Sequence, residues 1–190
     1  YTGLELSSGE EFKSALTKYL REKILRGVPS TFVLVKALYH DAEKKPFLEE
    51  VIFALEKEFS SESATNKTAI LWTNYFLAQH YDLLGSFPKA LEYLEKCIEQ
   101  SSNTVEFALT KSRILKHAGD FTNAARVIDA ARKTDLSDRY VNSKTVKYLL
   151  RANEYVEAVV IESIFTHNDS HNVGLRDVVF IQTLWAMIEH

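Results

Sequence analysis

The chain has 190 residues, of which 46% are hydrophobic and 26% are charged, and its formal net charge is −3. This composition is normal for a globular protein. Only six glycines and three prolines are present. Their scarcity argues against a β-sandwich or β-barrel, because those folds need a turn signal about every 8–12 residues. The composition therefore favours a helical fold.

The single cysteine, Cys97, has no partner for an internal disulfide. We expect it to be a buried structural residue in a protein of a reducing compartment. No apolar run reaches the length of a transmembrane helix, and no signal peptide is recognisable. The pattern starts abruptly at Tyr1 and stops at His190, so we interpret the sequence as a piece of a longer protein.

The first predicted element is a helix over 10–26. Its apolar residues recur in steps of three and four and lie on one side: Phe12, Leu16, Tyr19, Leu20 and Ile24. Next, two helices over 31–40 and 47–59 are predicted to form a divergent hairpin with its turn at 44–46. A polar loop over 60–67 follows, and it interrupts the regular spacing of the rest of the chain.

A repeat of 34 residues begins after this loop. Its first copy has a turn glycine, an aromatic residue and two small residues: Gly85, Phe87, Ala90 and Cys97. The second copy has Gly119, Phe121, Ala124 and Ala131, and the third has Asn153, Tyr155, Ala158 and Phe165, so only the last small position departs from the pattern, to a bulky phenylalanine. Glycine and asparagine tolerate the left-handed conformation at a helix C-terminus, and alanine allows two helices to approach closely. Each repeat is therefore predicted to be a helical hairpin.

The predicted helix pairs are 68–84 with 87–100, 104–118 with 121–133, and 138–152 with 155–166. Each pair has an apolar face that it can bury only against its neighbours. The predicted fold is all-α, a right-handed solenoid of antiparallel hairpins of the tetratricopeptide type. We predict one solenoid fragment over 1–190, with divergent helices in 1–60, three repeats in 68–166 and, after a loop, the first helix of a truncated repeat in 175–190.

Several longer motifs go beyond a generic repeat. They are ALTKYLREKILRGVPSTF, LWTNYFLAQHYDLLG, ALEYLEKCIE, ILKHAGDFTNAARVIDAA and DRYVNSKTVKYLLRAN. With these motifs the chain resembles the large auxiliary subunit of the eukaryotic NatA-type N-terminal acetyltransferase. The segments KHAG and DRYVNSK are more specific than the repeat pattern. The resemblance covers nearly the whole chain and weakens after Thr166.

The resemblance implies a function for the longer protein. In that family the auxiliary subunit is a horseshoe of repeats that cradles a small catalytic subunit and tethers the enzyme to ribosomes in the cytoplasm. The catalytic subunit binds acetyl-CoA, so this chain is expected to be a scaffold rather than an enzyme. Inositol hexakisphosphate bridges the two subunits in the family and is the one cofactor that the resemblance implies.

A basic block stands out within the acidic chain. From Val105 to Arg151 there are ten Lys or Arg and five Asp or Glu, a net charge of +5, so the remainder carries −8. With repeats starting at 71, 105 and 139, Arg113 and Lys147 hold equivalent concave positions, as do His117 and Arg151. The predicted anion-binding residues are Arg113, Lys116, His117, Lys144, Lys147, Tyr148 and Arg151, with Tyr148 as a hydroxyl donor. The alternative is a solvated basic face. The family resemblance favours an inositol phosphate site.

Two aromatic residues, Trp72 and Tyr75, also fall at concave positions. Together with Arg113 they are candidates for binding a partner, but both aromatic residues fit a role in the core equally well. His80 is interpreted as a buried, hydrogen-bonded residue. The His167–His171 loop lacks a further ligand motif, so no metal site is predicted.

Two other functions remain open on the sequence. A co-chaperone or peptide-binding adaptor of the tetratricopeptide type would also use concave cations, but it would favour asparagine where this chain has Gln79, Arg113 and Lys147. An RNA-binding helical repeat is disfavoured because aromatic residues do not alternate with the cations. No phosphate-binding loop or nucleophile motif is present. We therefore expect no catalysis, no membrane contact and no direct nucleic-acid contact.

Overall fold

The computed structural model of the chain describes residues 9–61, 66–102 and 104–166. Within these ranges the chain forms nine α-helices, one 3-10 helix and no β-strand, which confirms the predicted all-α class. The α-helices are α1 (Gly9–Leu25), α2 (Thr31–Val35), α3 (Lys44–Ser61), α4 (Lys67–Leu83), α5 (Phe87–Gln100), α6 (Val105–His117), α7 (Phe121–Arg132), α8 (Arg139–Arg151) and α9 (Tyr155–Thr166). The predicted loop 167–174 and helix 175–190 lie outside the described residues.

The chain divides into two compact units, Tyr1–Phe107 and Ala108–His190, and the division falls within α6. In the first unit, one apolar core joins α1, α3 and α4. The predicted face of α1 is confirmed, since Phe12, Leu16, Leu20 and Ile24 are fully buried. In the second unit, α8 packs against both α7 and α9.

The first hairpin differs from its prediction. The segment 31–40 is not one helix, because α2 ends at Val35 and continues as a 3-10 helix over Lys36–His40. The predicted turn at 44–46 was also wrong, since α3 already begins at Lys44. The carboxylate of Asp41 accepts from the backbone N–H groups of Glu43 and Lys44 and so caps this helix start. Pro46 fits in the first turn, where a helix does not need its missing N–H.

The polar loop predicted over 60–67 is shorter than expected. α3 continues through Ser61, and α4 begins at Lys67. The side chain of Asn66 accepts a hydrogen bond from the backbone N–H of Ala69 at 3.4 Å. Such a bond satisfies one of the N–H groups that a helix start leaves without an internal partner. Residues 62–65 lie outside the described residues.

The three repeated turns have the same backbone structure. The turn residue has a positive φ in each copy, 74° at Gly85, 85° at Gly119 and 61° at Asn153. The next residue donates to a carbonyl five positions back: Ser86 to Tyr81, Asp120 to Leu115 and Glu154 to Leu149, each at 2.9 Å. This is the hydrogen bond of a Schellman motif, which ends a helix at a left-handed residue. The turns predicted from the 34-residue spacing are therefore confirmed.

The small residue of each repeat is buried as predicted. The exposed fractions of Ala90, Ala124 and Ala158 are 0%, 1% and 0%. Ala90 is on α5, which packs against α4, and Ala158 is on α9, which packs against α8. A larger side chain at these points would force the paired helices apart, because a close-packed interior has little room for added volume.

Candidate functional site

The predicted anion-binding residues lie on two helices of the second unit. Arg113, Lys116 and His117 are on α6, and Lys144, Lys147, Tyr148 and Arg151 are on α8. Lys147, Arg151 and His117 are exposed, whereas Arg113, Lys116 and Lys144 are partly exposed. Three of these side chains are therefore largely in contact with solvent, and the other three are partly covered by protein.

Tyr148 links the two helices electrostatically. Its side chain is 8% exposed. Burial raises the pKa of the Tyr148 hydroxyl above its ordinary value, while the positive charges of Arg113 and Arg151 and a hydrogen bond with Ser112 oppose that rise. The structure thus brings Arg113, Tyr148 and Arg151 into one electrostatic environment. With a raised pKa, the Tyr148 hydroxyl stays protonated and neutral at pH 7.

Two further members of the cluster are held by their own helix. The guanidinium of Arg151 donates to the carbonyl oxygen of Lys147 at 3.4 Å. The Lys144 ammonium lies over the ring of Tyr140, with Nζ 5.3 Å from the ring centroid. Both contacts span one helical turn, the spacing at which side chains on a helix meet.

Lys116 and His117 lie in the last turn of α6. Basic side chains there can donate hydrogen bonds to the last carbonyl groups of the helix, and the Lys116 ammonium also interacts favourably with the negative end of the helix dipole. This local role accounts for both residues without a ligand. Their part in an anion site therefore stays a prediction, as does that of the other members of the cluster.

The aromatic residues of the first unit lie inside its packing. Tyr75 is 6% exposed, and its ring lies 5.0 Å from that of Phe107 and 5.6 Å from that of Trp72. Its hydroxyl donates to the backbone carbonyl of Glu106 at 3.3 Å. Trp72 is partly buried against the core and also contacts Phe107. These contacts favour the core role that the sequence left open, most clearly for Tyr75.

His80 is buried and hydrogen-bonded, as the sequence indicated. It is 1% exposed, and its Nδ1 lies 2.6 Å from the hydroxyl oxygen of Tyr39. Burial, together with the nearby charge of Lys45, lowers the pKa of His80 to about 4. The imidazole is therefore neutral at pH 7 and serves to join the 3-10 helix to α4.

Cys97 is buried too, which confirms its predicted structural role. Burial raises the pKa of its thiol to about 12, so the reactive thiolate is scarce at neutral pH. Among the described residues, no group of three His, Cys, Asp or Glu side chains is placed to hold a metal ion. The His167–His171 loop lies outside them. Within the same ranges, no helix is both long and apolar enough to cross a membrane.

Comparison with known proteins places the chain in a family. Residues 2–190 match the family model described as N-terminal acetyltransferase A, auxiliary subunit. The chain belongs to this family. The resemblance inferred from the KHAG and DRYVNSK motifs is thereby confirmed, and the chain is a NatA auxiliary-subunit segment.

Individual relatives agree with this placement. The human N-alpha-acetyltransferase 16, NatA auxiliary subunit, is 34% identical over 195 residues, which cover 98% of this chain and 22% of that protein. The Arabidopsis thaliana N-terminal acetyltransferase A complex auxiliary subunit NAA15 is 34% identical over 189 residues, 96% of this chain and 21% of that protein. The segment thus spans about a fifth of the length of these curated relatives.

A solved structure shares the fold of the NatA auxiliary-subunit segment. The structure of Naa15/Naa10 bound to HypK-THB aligns with a TM-score of 0.80 and 38% sequence identity. The alignment covers 96% of this chain and 27% of that chain. The helical repeats seen here are therefore those of the NatA auxiliary subunit.

Sequence reasoning missed two residues that lie beside the cluster in this auxiliary-subunit segment. Ser112 is fully buried on α6, and its hydroxyl donates to the Leu109 carbonyl at 3.0 Å. Tyr140 is on α8, one turn before Lys144 and two turns before Tyr148. The four-residue spacing of Tyr140, Lys144 and Tyr148 is the signal that could have identified the tyrosine, because residues four apart share a helix face.

Proposed function

We propose that this segment is part of a non-catalytic scaffold that holds the catalytic subunit of an N-terminal acetyltransferase complex. Membership of the auxiliary-subunit family supports this function, as does the match to a structure that contains both Naa15 and Naa10. The longer protein acts in the cytoplasm and brings the catalytic subunit to ribosomes, where new N-termini emerge. The segment itself carries out no acetyl transfer.

The basic cluster of the second unit is the anion site of this scaffold, and its ligand is inositol hexakisphosphate. The chemistry of the side chains fits such a group. Guanidinium groups at Arg113 and Arg151 and ammonium groups at Lys144 and Lys147 donate charge-assisted hydrogen bonds to phosphate oxygens. The Tyr148 hydroxyl remains protonated beside Arg113 and Arg151, so no negative charge forms there to repel phosphate. The observation that carries the proposed anion site is the placement of Arg113 on α6 and of Lys144, Lys147 and Arg151 on α8.

Lys116 adds a positive charge and His117 adds a hydrogen-bonding side chain at the edge of the site, and the ligand bridges the segment to its catalytic partner. Each exposed ion pair contributes only about 0.2–1 kcal/mol, so affinity depends on many pairs together. Binding is therefore strong at low salt and falls steeply as the ionic strength rises. Trp72 and Tyr75 of the first unit assist partner binding indirectly by keeping that unit folded.

The test combines a charge reversal with a matched control. Lys144→Glu/Lys147→Glu should weaken binding of inositol hexakisphosphate, measured by calorimetry at low salt, by roughly tenfold or more. Lys18→Glu/Lys57→Glu changes the net charge equally at exposed lysines of the first unit and should leave the affinity unchanged. Equal affinity of the first variant and the unmodified chain would show that the cluster is only a solvated basic face.

The scaffold itself is tested with the full-length protein. Co-expressed with its catalytic subunit, it should recover that subunit by affinity purification, and the Lys144→Glu/Lys147→Glu form should recover less of it. Recovery of a chaperone or of RNA instead of an acetyltransferase would contradict the proposed function. The purified segment alone should not acetylate peptides, and measurable turnover would overturn the scaffold assignment.

A further inference from the structure

Tyr140 is an exposed aromatic residue at a fixed point of the second unit. Its side chain is 59% exposed, more than that of Phe121 or Tyr155 in the same unit. It is the second residue of α8, and its backbone N–H donates to the Asp138 carboxylate at 2.9 Å. The cap therefore holds the backbone of Tyr140 in place while its ring extends along the helix surface.

The ring of Tyr140 lies beside Lys144. The ammonium nitrogen is 5.3 Å from the ring centroid, within the range of a cation–π interaction. A lysine side chain has four rotatable torsions and loses much of this freedom when its end binds a ligand. A lysine that already rests on an aromatic face loses less, so its contribution to binding is larger.

Tyr140 also belongs to the electrostatic environment of the cluster. Its hydroxyl is one of the groups that act on Tyr148, together with the charges of Arg113 and Arg151. Tyr140, Lys144 and Tyr148 lie four residues apart and so share one face of α8. The ring is thus next to the residues that the proposed function assigns to the anion.

We infer that Tyr140 is a positioning residue of this anion site, whose ring holds the Lys144 ammonium where it contacts the ligand. The inference rests on the proposed function. It assigns the effect to the aromatic face and not to the hydroxyl. Phenylalanine at position 140 should therefore preserve the affinity for the ligand, whereas an aliphatic side chain of similar size should reduce it.

Calorimetry with inositol hexakisphosphate on the whole 190-residue chain tests this assignment. Tyr140→Phe should bind like the unmodified chain, and Tyr140→Leu should bind about two- to fivefold more weakly, the range expected for an exposed cation–π contact. Tyr155→Leu removes another exposed tyrosine of the same unit and should not change the affinity. Because Tyr140 is largely exposed, the thermal midpoints of Tyr140→Phe and Tyr140→Leu should match that of the unmodified chain.

A second measurement reports the orientation of Lys144 without any ligand. Reductive methylation with ¹³C labels the lysine amines and retains their charge, and Lys144→Arg identifies the resonance. The Lys144 methyl signal should show an upfield ring-current shift in the unmodified chain and in Tyr140→Phe. The shift should disappear in Tyr140→Leu.

The outcomes separate this inference from the proposed function. If the unmodified chain binds the ligand and Tyr140→Leu binds equally well, or if Tyr140→Phe binds as weakly as Tyr140→Leu, the inference is wrong and the anion site stands. The inference is also wrong if the Lys144 methyl signal has the same chemical shift in the unmodified chain and in Tyr140→Leu. If the unmodified chain binds no inositol hexakisphosphate at low salt, the anion site itself is wrong, and the role of Tyr140 is refuted with it.

Discussion

Gly27 and Gly85 offer a direct measure of how tightly the first unit packs. Both end a helix with a positive φ, 68° and 74°. A Cβ atom added at Gly27 would lie 2.8 Å from Nε1 of Trp72, whereas one added at Gly85 would meet nothing within 4 Å. Alanine at either position therefore has the same backbone strain, but only Gly27→Ala also collides with a partly buried ring.

The two variants should differ by the cost of that collision. An L-residue in the left-handed region costs about 1–2 kcal/mol, so Gly85→Ala should lower the free energy of unfolding by roughly that amount. Overpacking a core costs typically about 1–3 kcal/mol more. Since the indole of Trp72 packs against the rings of both Tyr75 and Phe107, its movement away from residue 27 is restricted. Gly27→Ala should therefore lower the free energy of unfolding by about 2–5 kcal/mol.

Urea unfolding followed by tryptophan fluorescence measures both values. Trp72 and Trp185 are the two tryptophans, so a Trp185→Phe background makes the signal specific for Trp72. The urea midpoint should be highest for the chain with both glycines, lower for Gly85→Ala and lowest for Gly27→Ala. The slopes of the free energy of unfolding against urea concentration should be similar. Equal midpoints for the two alanine variants would refute the reasoning, because the contact with Trp72 would then carry no cost.

Two further predictions concern the same unit. The pKa of His80 is lowered from 6.5 in the unfolded chain to about 4 in the folded protein. The unfolded chain therefore binds more protons than the folded protein below pH 6.5. The contribution of neutral His80 to the free energy of unfolding is complete above pH 6.5 and falls by about 2 kcal/mol on going to pH 5. Urea titrations at pH 7 and pH 5 should show a smaller loss of unfolding free energy in His80→Gln than in the unmodified chain. An identical loss in both proteins would contradict the prediction. Tyr75→Ala should lower the free energy of unfolding by about 3–5 kcal/mol. Tyr75→Phe should lower it by only about 1 kcal/mol, because it removes only the hydrogen bond from the hydroxyl to the Glu106 carbonyl. A stable Tyr75→Ala chain that fails to recover the catalytic subunit would instead support a direct role in partner binding.

The turns could be predicted from the sequence because their information is local. Glycine or asparagine at 85, 119 and 153 is required by a positive φ, and the 34-residue spacing identifies all three positions. The same holds for Ala90, Ala124 and Ala158, whose small size is the condition for close helix packing. Such positions are recognised by residue type alone.

The remaining features depend on contacts between distant residues. The burial of Tyr75 follows from Phe107 and Glu106, which lie about thirty residues further along the chain, so helical spacing does not distinguish a core ring from an exposed one. The interruption of 31–40 by a 3-10 helix accompanies the hydrogen bond of Tyr39 to His80. In the cluster, charge and spacing identified the cations, but they did not show that Lys144 rests on Tyr140.

The shared turn structure also has a kinetic consequence. Each Schellman hydrogen bond joins residues only five positions apart, so a hairpin turn forms with a small loss of chain entropy. Structures rich in such local contacts fold fast, and repeat proteins can begin to fold at any unit and extend from there. A growing chain that carries these three turns can therefore form its hairpins one after another, each soon after its own 34 residues have been synthesised.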